Sequence, residues 1–108
     1  MSETNWAGNL IYQAEAVRFP QSVAEVQELV ARLPRVRALG TRHSFSTVAD
    51  SPGGELISLS AIVPEITIDP AASTVTVSAG ASYGVLAAEL QRHGYALDNM
   101  GSLPHISV

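Results

Sequence analysis

Residues 37–46, with the sequence RALGTRHSFS, hold the side chains best suited to chemistry in this chain. A short apolar stretch turns at Gly40, and His43 then lies among three hydroxyl residues, Thr41, Ser44 and Ser46. Imidazole can act as a base or nucleophile near neutral pH, and hydroxyl groups can donate to anionic oxygens. Successive backbone N–H groups in such a turn can also form an anion-binding nest. The stretch predicts either a ligand-binding turn or a capped surface loop whose histidine has no special partner.

Other residue patterns of catalytic or metal sites are absent from the sequence. The histidines have neither H-x-H nor i,i+4 spacing, so we expect no metal site. The lack of cysteine excludes disulfides, thiolate zinc sites and a cysteine nucleophile. Neither a G-x-x-x-x-G-K-[ST] loop nor a G-x-G-x-x-G fingerprint occurs. Glu65 and Asp69 could form a carboxylate pair, but their place at the edge of a predicted hairpin favours solvated turn residues.

Composition and charge restrict the partners that we expect. The 108 residues fit one small domain, and an apolar fraction of 46% is ordinary for a globular core. The net charge is −4, with six arginines and no lysine, so nucleic acid is not an expected partner. No stretch approaches the ~20 apolar residues that span a bilayer, and no signal-peptide pattern opens the chain. We expect a cytoplasmic protein without a membrane span.

A first helix is predicted over residues 22–33. Ser22 and Glu25 have the spacing of a capping box, in which each side chain satisfies an amide at the helix start. Five apolar residues recur at helical spacing, and Pro34 ends the pattern.

A second helix is predicted over residues 83–93. Ser82 is its expected N-cap, and Gly94 fits the left-handed position just after its end. His93 lies in the last turn, where the helix dipole favours partial positive charge, so we assign it no catalytic role.

The strands predicted around these helices are short. Residues 66–69 and 74–78 alternate apolar and hydroxyl side chains and predict a hairpin. Single strands are expected at residues 10–12, 36–39 and 56–59. Trp6 could seal a core edge or stack on a ligand, and sealing the core is the favoured interpretation. The predicted fold class is α+β, a short mixed sheet flanked by two main helices.

The last segment, residues 95–108, has no helical period and ends on Ile-Ser-Val without a polar tail. Natural termini usually end in polar residues unless structure holds them in place. We therefore expect this chain to be a fragment of a longer protein.

Three blocks of sequence together resemble one family. They are residues 5–9 (NWAGN), residues 37–45 (RALGTRHSF) and residues 99–108 (NMGSLPHISV). Their order and spacing are similar to those of the bacterial alditol (xylitol) oxidases, which belong to the vanillyl-alcohol-oxidase class of FAD-linked oxidases. The resemblance covers essentially the whole chain. It implies that residues 1–108 are the N-terminal portion of a PCMH-type FAD-binding domain.

The resemblance also implies a role for individual residues. His43 matches the histidine that is joined covalently to the flavin 8α-methyl carbon, a reaction that suits a neutral imidazole nitrogen. Ser102 matches a serine that lies near the flavin ring and touches the polyol, although a turn hydroxyl is the alternative. The remaining cofactor-binding residues implied are in the pyrophosphate-binding turn and the cofactor channel: Gly40, Thr41, Arg42, Ser44, Gly101, Ser107 and Val108.

The activity implied is that of the complete enzyme. A polyol's terminal alcohol would be oxidised to an aldehyde, with hydride passing to flavin N5 and dioxygen leaving as hydrogen peroxide. A second flavin-binding stretch and a substrate domain would follow this chain, so we expect the 108-residue piece to be inactive alone. An exposed core would also make the fragment self-associate.

One departure from the family and two alternatives stay open. Many relatives carry Gly where this chain has Arg42, which could neutralise pyrophosphate, point to solvent or fill the cofactor's space. The same histidine-linked architecture also serves aldonolactone oxidases, which act on sugar lactones. From a different class, the chain could be a non-catalytic α+β binding module that keeps only the scaffold.

Overall fold

The computed structural model of the protein describes residues 3–43, 46–99 and 103–108. The chain divides into two compact units, Met1–Ile62 and Val63–Val108, which are taken in turn.

The first unit contains strands β1 (Ala16–Arg18), β2 (Val36–Leu39) and β3 (Glu55–Ser58) and helix α1 (Val23–Arg32). The strands form a parallel sheet in the order β1-β3-β2. Parallel neighbours cannot be joined by a tight turn, so each connection needs a crossover. Helix α1 joins β1 to β2, and a short 3-10 helix at Thr47–Ala49 lies between β2 and β3.

Helix α1 begins where the capping pattern predicts. The Ser22 hydroxyl accepts from the Glu25 amide at 3.2 Å, and the Glu25 carboxylate accepts from the Gln21 amide at 2.7 Å. The carboxylate therefore satisfies the amide one residue before the cap instead of the cap's own. The apolar face of α1 is largely uncovered within the described chain, with Val23 and Val30 64% and 53% exposed.

The core of the first unit is built on the central strand β3. Leu56 is fully buried and Ile57 nearly so, because β3 has a hydrogen-bonded neighbour on each side. Tyr12 packs as part of this core and is 5% exposed. The strand predicted at residues 10–12 is wrong, since Ile11 makes only an isolated bridge with Thr4. The first true strand is β1, whose three residues are too few for a period-2 pattern to be visible.

The second unit pairs a hairpin with a helix. Strands β4 (Ile66–Asp69) and β5 (Thr74–Val77) are antiparallel, as their alternating pattern predicts. Helix α2 (Tyr83–Arg92) is capped by Ser82, whose hydroxyl accepts from the Val85 amide at 3.3 Å. Gly94 has a φ of 81°, which is the left-handed conformation predicted after the helix end. Leu86 and Leu90 supply the buried face of α2.

The α+β class with two main helices is therefore confirmed. Parallel and antiparallel pairings both occur, as expected of a mixed arrangement, and the described residues distribute them over two small sheets. The parallel pairs belong to the first unit and the antiparallel pair to the second.

Tyr12 gives the stability of the first unit a dependence on alkaline pH. Burial raises the pKa of Tyr12 above its ordinary 10.0, Arg42 opposes the shift, and Asp50 and Glu3 add to it. Because the folded-state pKa is the higher one, the folded protein holds this proton more tightly than the unfolded chain does. The stability linked to Tyr12 is present below pH 10.0 and is lost as pH rises through the folded-state pKa.

We expect the free energy of unfolding to fall above about pH 10, and to fall less in Tyr12→Phe. Urea unfolding, followed by circular dichroism at about pH 8, 9, 10 and 11, measures this free energy. Tyr95→Phe is the matched control, because Tyr95 is 42% exposed, and it should follow the unsubstituted protein. Equal pH dependence in Tyr12→Phe and the unsubstituted protein would contradict the assignment.

Candidate functional site

The loop that carries His43 leaves the carboxyl end of β2. Leu39 is the last residue of β2 and pairs with Ser58 of β3, which fixes the point where the loop begins. Ligand sites in open parallel sheets lie beyond the carboxyl ends of the strands. His43 is half-buried, and its Nδ1 lies 2.9 Å from the Thr41 hydroxyl oxygen. This hydrogen bond ties the edge of the imidazole to the loop, whichever of the two groups donates.

Trp6 covers one face of the same imidazole. The two ring centroids are 5.1 Å apart, with 23° between the ring planes. The indole is 59% exposed, so the prediction that Trp6 seals the core is wrong. The reason is the turn at residues 5–9, which buries Asn5 and directs Trp6 to the histidine loop instead.

Asn5 organises that turn and is a residue that sequence reasoning missed. Its side chain is 3% exposed, donates to the Asn9 side chain at 2.7 Å, and accepts from the Leu10 amide at 3.1 Å. Its carbonyl accepts from Gly8, which has a φ of 74°. A signal was present, because Asn upstream of a glycine is typical of such turns.

Arg42 adopts a left-handed backbone conformation, which is uncommon for residues other than glycine. Its φ is 64°, in the left-handed region that glycine enters without steric cost. The guanidinium forms an ion pair with the Glu3 carboxylate, and its side chain is 43% exposed. The carbonyl of Arg42 accepts from the Trp6 amide at 2.5 Å. The Arg42 side chain is thus partly exposed to solvent and paired with Glu3, and the three alternatives given for it above stay predictions.

The other residues expected at the cofactor site fall into two groups. Ser44, Gly101 and Ser102 lie outside the described residues. Ser107 and Val108 belong to the second unit, where Ser107 bridges to Ser82 and the Val108 amide donates to the Ala81 carbonyl at 2.9 Å.

The segment around Ser107 and Val108 closes the start of helix α2. The Tyr83 amide donates to the Ile106 carbonyl at 2.9 Å, and the Gly84 amide donates to the Pro104 carbonyl at 2.7 Å. A Cβ on Gly84 would lie 2.9 Å from that carbonyl oxygen, so only glycine permits this approach. These two amides of the helix start are therefore used within the protein.

Two sets of residues assigned to structural roles are found in those roles. The His93 Nδ1 lies 3.0 Å from the Glu89 carbonyl and 3.6 Å from the Glu89 carboxylate, at the end of α2. Asp69 accepts from the amides of Ala71 and Ala72 in the hairpin turn, and both Asp69 and Glu65 are exposed. Asp69 and Glu65 therefore hold the exposed positions that the hairpin predicts, and His93 lies at the end of α2.

The described residues offer neither a metal site nor a membrane-spanning helix. Within residues 3–43, 46–99 and 103–108, no group of three or more His, Asp or Glu side chains could hold a metal ion. Over the same ranges, the helices are too short or too polar to cross a membrane.

The fold has close counterparts among solved structures. The crystal structure of cholesterol oxidase from B. sterolicum matches with a TM-score of 0.81 at 23% identity, over 98% of this chain and 22% of that one. A solvent-stable cholesterol oxidase matches with a TM-score of 0.79 at 21% identity, over 98% and 22%. The fold is thus that of a segment found in these two oxidases.

The family follows from sequence. The profile described as "FAD binding domain" matches residues 14–108, and the chain therefore belongs to the FAD-binding domain family. FAD is its cofactor, as the sequence analysis expected.

Named relatives agree with this family. The alditol oxidase of Streptomyces sp. is 45% identical over 107 residues, which is 97% of this chain and 26% of that protein. The L-gulono-1,4-lactone dehydrogenase of Mycobacterium tuberculosis is 30% identical, over 97% and 25%. The L-gulonolactone oxidase of Mus musculus is 32% identical, over 96% and 24%. The resemblance to alditol oxidases is confirmed, and the chain spans about a quarter of the length of the relatives that it matches.

The residues of the histidine loop fit a flavin in their chemistry. His43 offers an imidazole whose edge is held by Thr41 and whose face is held by Trp6. Thr41 adds a hydroxyl group that can bond an anionic oxygen, and Gly40 lets a ligand approach the backbone closely.

We expect Arg42→Gly to change the free energy of unfolding by less than about 1 kcal/mol, because relief of the left-handed strain offsets the loss of a partly exposed ion pair. Arg42→Val loses the same ion pair but places a β-branched residue at positive φ, and should be about 1–2 kcal/mol less stable than Arg42→Gly. Urea unfolding of both variants measures the difference. Equal stability of the two would show that Arg42 does not hold the left-handed conformation.

Proposed function

We propose that this chain is the FAD-binding part of a flavoprotein oxidase that converts the terminal alcohol of a polyol to an aldehyde. Dioxygen is the electron acceptor and becomes hydrogen peroxide. The observation that carries the proposal is the 45% identity to an alditol oxidase across 97% of the chain. The identities to the lactone-named relatives are lower, at 30% and 32%.

The residues of the histidine loop take the cofactor-binding roles in this proposal. His43 forms the covalent link to the flavin 8α carbon through a ring nitrogen. The loop from Gly40 to Ser44 approaches the pyrophosphate, with Thr41 both contacting His43 and offering its hydroxyl. Bound FAD would supply the hydride acceptor and the route to dioxygen.

The end of the chain takes the remaining roles. We assign Ser102 to contact with the polyol, and Gly101, Ser107 and Val108 to the lining of the cofactor channel. Ser107 is held by its bridge to Ser82, and Val108 by the Ala81 carbonyl, so both have fixed backbone positions in the second unit.

Residues 1–108 are, in this proposal, the N-terminal portion of the FAD-binding domain. The relatives are about four times as long as the matched segment, which supports the view that substrate-binding groups lie in other parts of the protein. The chain alone is then inactive. Its self-association and its cytoplasmic location also stay predictions. A monomer mass that does not change with concentration would contradict self-association.

A sugar-1,4-lactone is the alternative substrate, favoured by the two lactone-named relatives. The complete protein should oxidise xylitol or sorbitol with a kcat/KM at least ~10-fold above that for L-gulono-1,4-lactone. Release of hydrogen peroxide, followed with a peroxidase-coupled dye, measures both reactions. A higher kcat/KM for the lactone would make a lactone the substrate in place of a polyol. A complete protein that purifies without flavin would favour the non-catalytic binding module.

His43→Ala should release the flavin from the complete protein on acid denaturation. The unsubstituted protein should retain its yellow colour in the acid precipitate, because a C–N bond survives unfolding whereas hydrogen bonds and stacking do not. His93→Ala and His105→Ala are matched controls and should retain the colour. Retention of flavin by the His43→Ala precipitate would contradict the linkage.

A further inference from the structure

Trp6 is the only tryptophan of the chain, and its position is not explained by burial. More than half of its surface is exposed, so the core gains little from its large apolar ring. The ring instead lies against the imidazole of His43, with centroids 5.1 Å apart and planes 23° from parallel. A stack of this kind stabilises one orientation of each ring relative to the other.

The stack and the Thr41 hydrogen bond restrict His43 in complementary ways. Thr41 holds the imidazole at one edge through Nδ1, which sets the direction in which the ring points. Trp6 lies on its face, which sets the plane of the ring. With edge and face both held, rotation about the two side-chain bonds of His43 is restricted before a ligand arrives.

Trp6 is itself held firmly by the turn at residues 5–9. Its amide donates to the Arg42 carbonyl at 2.5 Å, one residue before His43. Asn5, immediately before Trp6, is buried. Its side-chain nitrogen donates to Asn9, and its side-chain oxygen accepts from the Leu10 amide. The ion pair between Glu3 and Arg42 joins the same two segments again. The backbone of Trp6 is therefore held beside the histidine loop, which places the exposed indole next to His43.

We propose that Trp6 is a positioning residue that orients the His43 imidazole for covalent attachment of FAD. The inference rests on the proposed function, because it assumes that His43 is the point of attachment. The turn that holds Trp6 lies before residue 14, where the match to the FAD-binding domain profile begins.

The attachment reaction balances in atoms and electrons with His43, FAD and dioxygen as its reactants. A ring nitrogen of His43 forms a C–N bond to the flavin 8α carbon, while one C–H bond of that methyl group and the imidazole N–H bond break. The electron pair passes to the flavin and then to dioxygen, which takes up the two protons and leaves as hydrogen peroxide. Trp6 contributes only the orientation of the nitrogen lone pair in this step.

Reconstitution of the complete apoprotein with FAD in air tests the proposal. Apoprotein is produced in a riboflavin-starved host, mixed with FAD, and precipitated with acid at intervals, and the flavin in the precipitate is measured by absorbance. Trp6→Ala should attach FAD roughly 10-fold more slowly than the unsubstituted protein, because a misplaced nucleophile loses much of its advantage of proximity. Trp6→Phe keeps a flat ring and should recover most of the rate.

Controls separate orientation from folding. Phe19→Ala removes another exposed aromatic ring of the first unit, 56% exposed, and should attach FAD at the unsubstituted rate. The FAD bound before acid treatment, measured after gel filtration, should stay the same in all variants. If Trp6→Ala fails to fold, Trp6→Leu takes its place, since leucine keeps apolar bulk without a flat face.

The possible failures are distinguishable. Attachment at the unsubstituted rate in Trp6→Ala or Trp6→Leu would overturn the role of Trp6 and leave His43 as the point of attachment. Equal slowing in Trp6→Phe and Trp6→Ala would also overturn it, because stacking would then not be the cause. Absence of covalent flavin in the unsubstituted protein would instead reject the proposed function.

Discussion

The pairing of β3 with both of its neighbours is the constraint on which the first unit depends. Leu56 is fully buried only because β1 and β2 flank the strand that carries it. The register of β2 on β3 then fixes where β2 ends, at Leu39 opposite Ser58. Gly54, just before β3, lies so close to Arg35 that a Cβ would be 2.6 Å from the Arg35 carbonyl. The loop with His43 thus starts from a point that the buried strand determines.

A second set of contacts turns this loop into a defined site. The N-terminal segment contacts this loop through the Trp6 ring, the Trp6 amide and the Glu3 carboxylate. A loop alone would leave the imidazole free to rotate, and fixing it for the proposed attachment of FAD would then cost conformational entropy. The turn removes that freedom in advance. The left-handed conformation of Arg42 is part of this arrangement, since its carbonyl receives the Trp6 amide.

Local signals predicted the helices and the hairpin, because caps, apolar spacing and alternation act between residues close in sequence. Ser22, Ser82 and Gly94 all take the roles that their types suggest. The short parallel strands were less predictable, since β1 is defined by its pairing with Glu55–Ile57 and not by its own three residues. The contact of Trp6 with His43 joins residues far apart in sequence, and no local pattern could have predicted it. From chemistry alone His43 had two open interpretations, and the proposal that it binds the flavin rests on the family resemblance.

The claim that His43 carries FAD is tested most directly by tryptic mapping of the complete, flavin-loaded protein. Trypsin cuts after Arg42 and Arg92, and residues 43–92 contain no internal lysine or arginine. That peptide contains His43 but neither His93 nor His105. If the flavin blocks cleavage at Arg42, trypsin releases residues 38–92 instead, and His43 is still the one histidine in that peptide. The account predicts that the peptide is yellow and heavier by the mass of the attached FAD. An unmodified peptide of residues 43–92, with the flavin released or bound to another peptide, would contradict it.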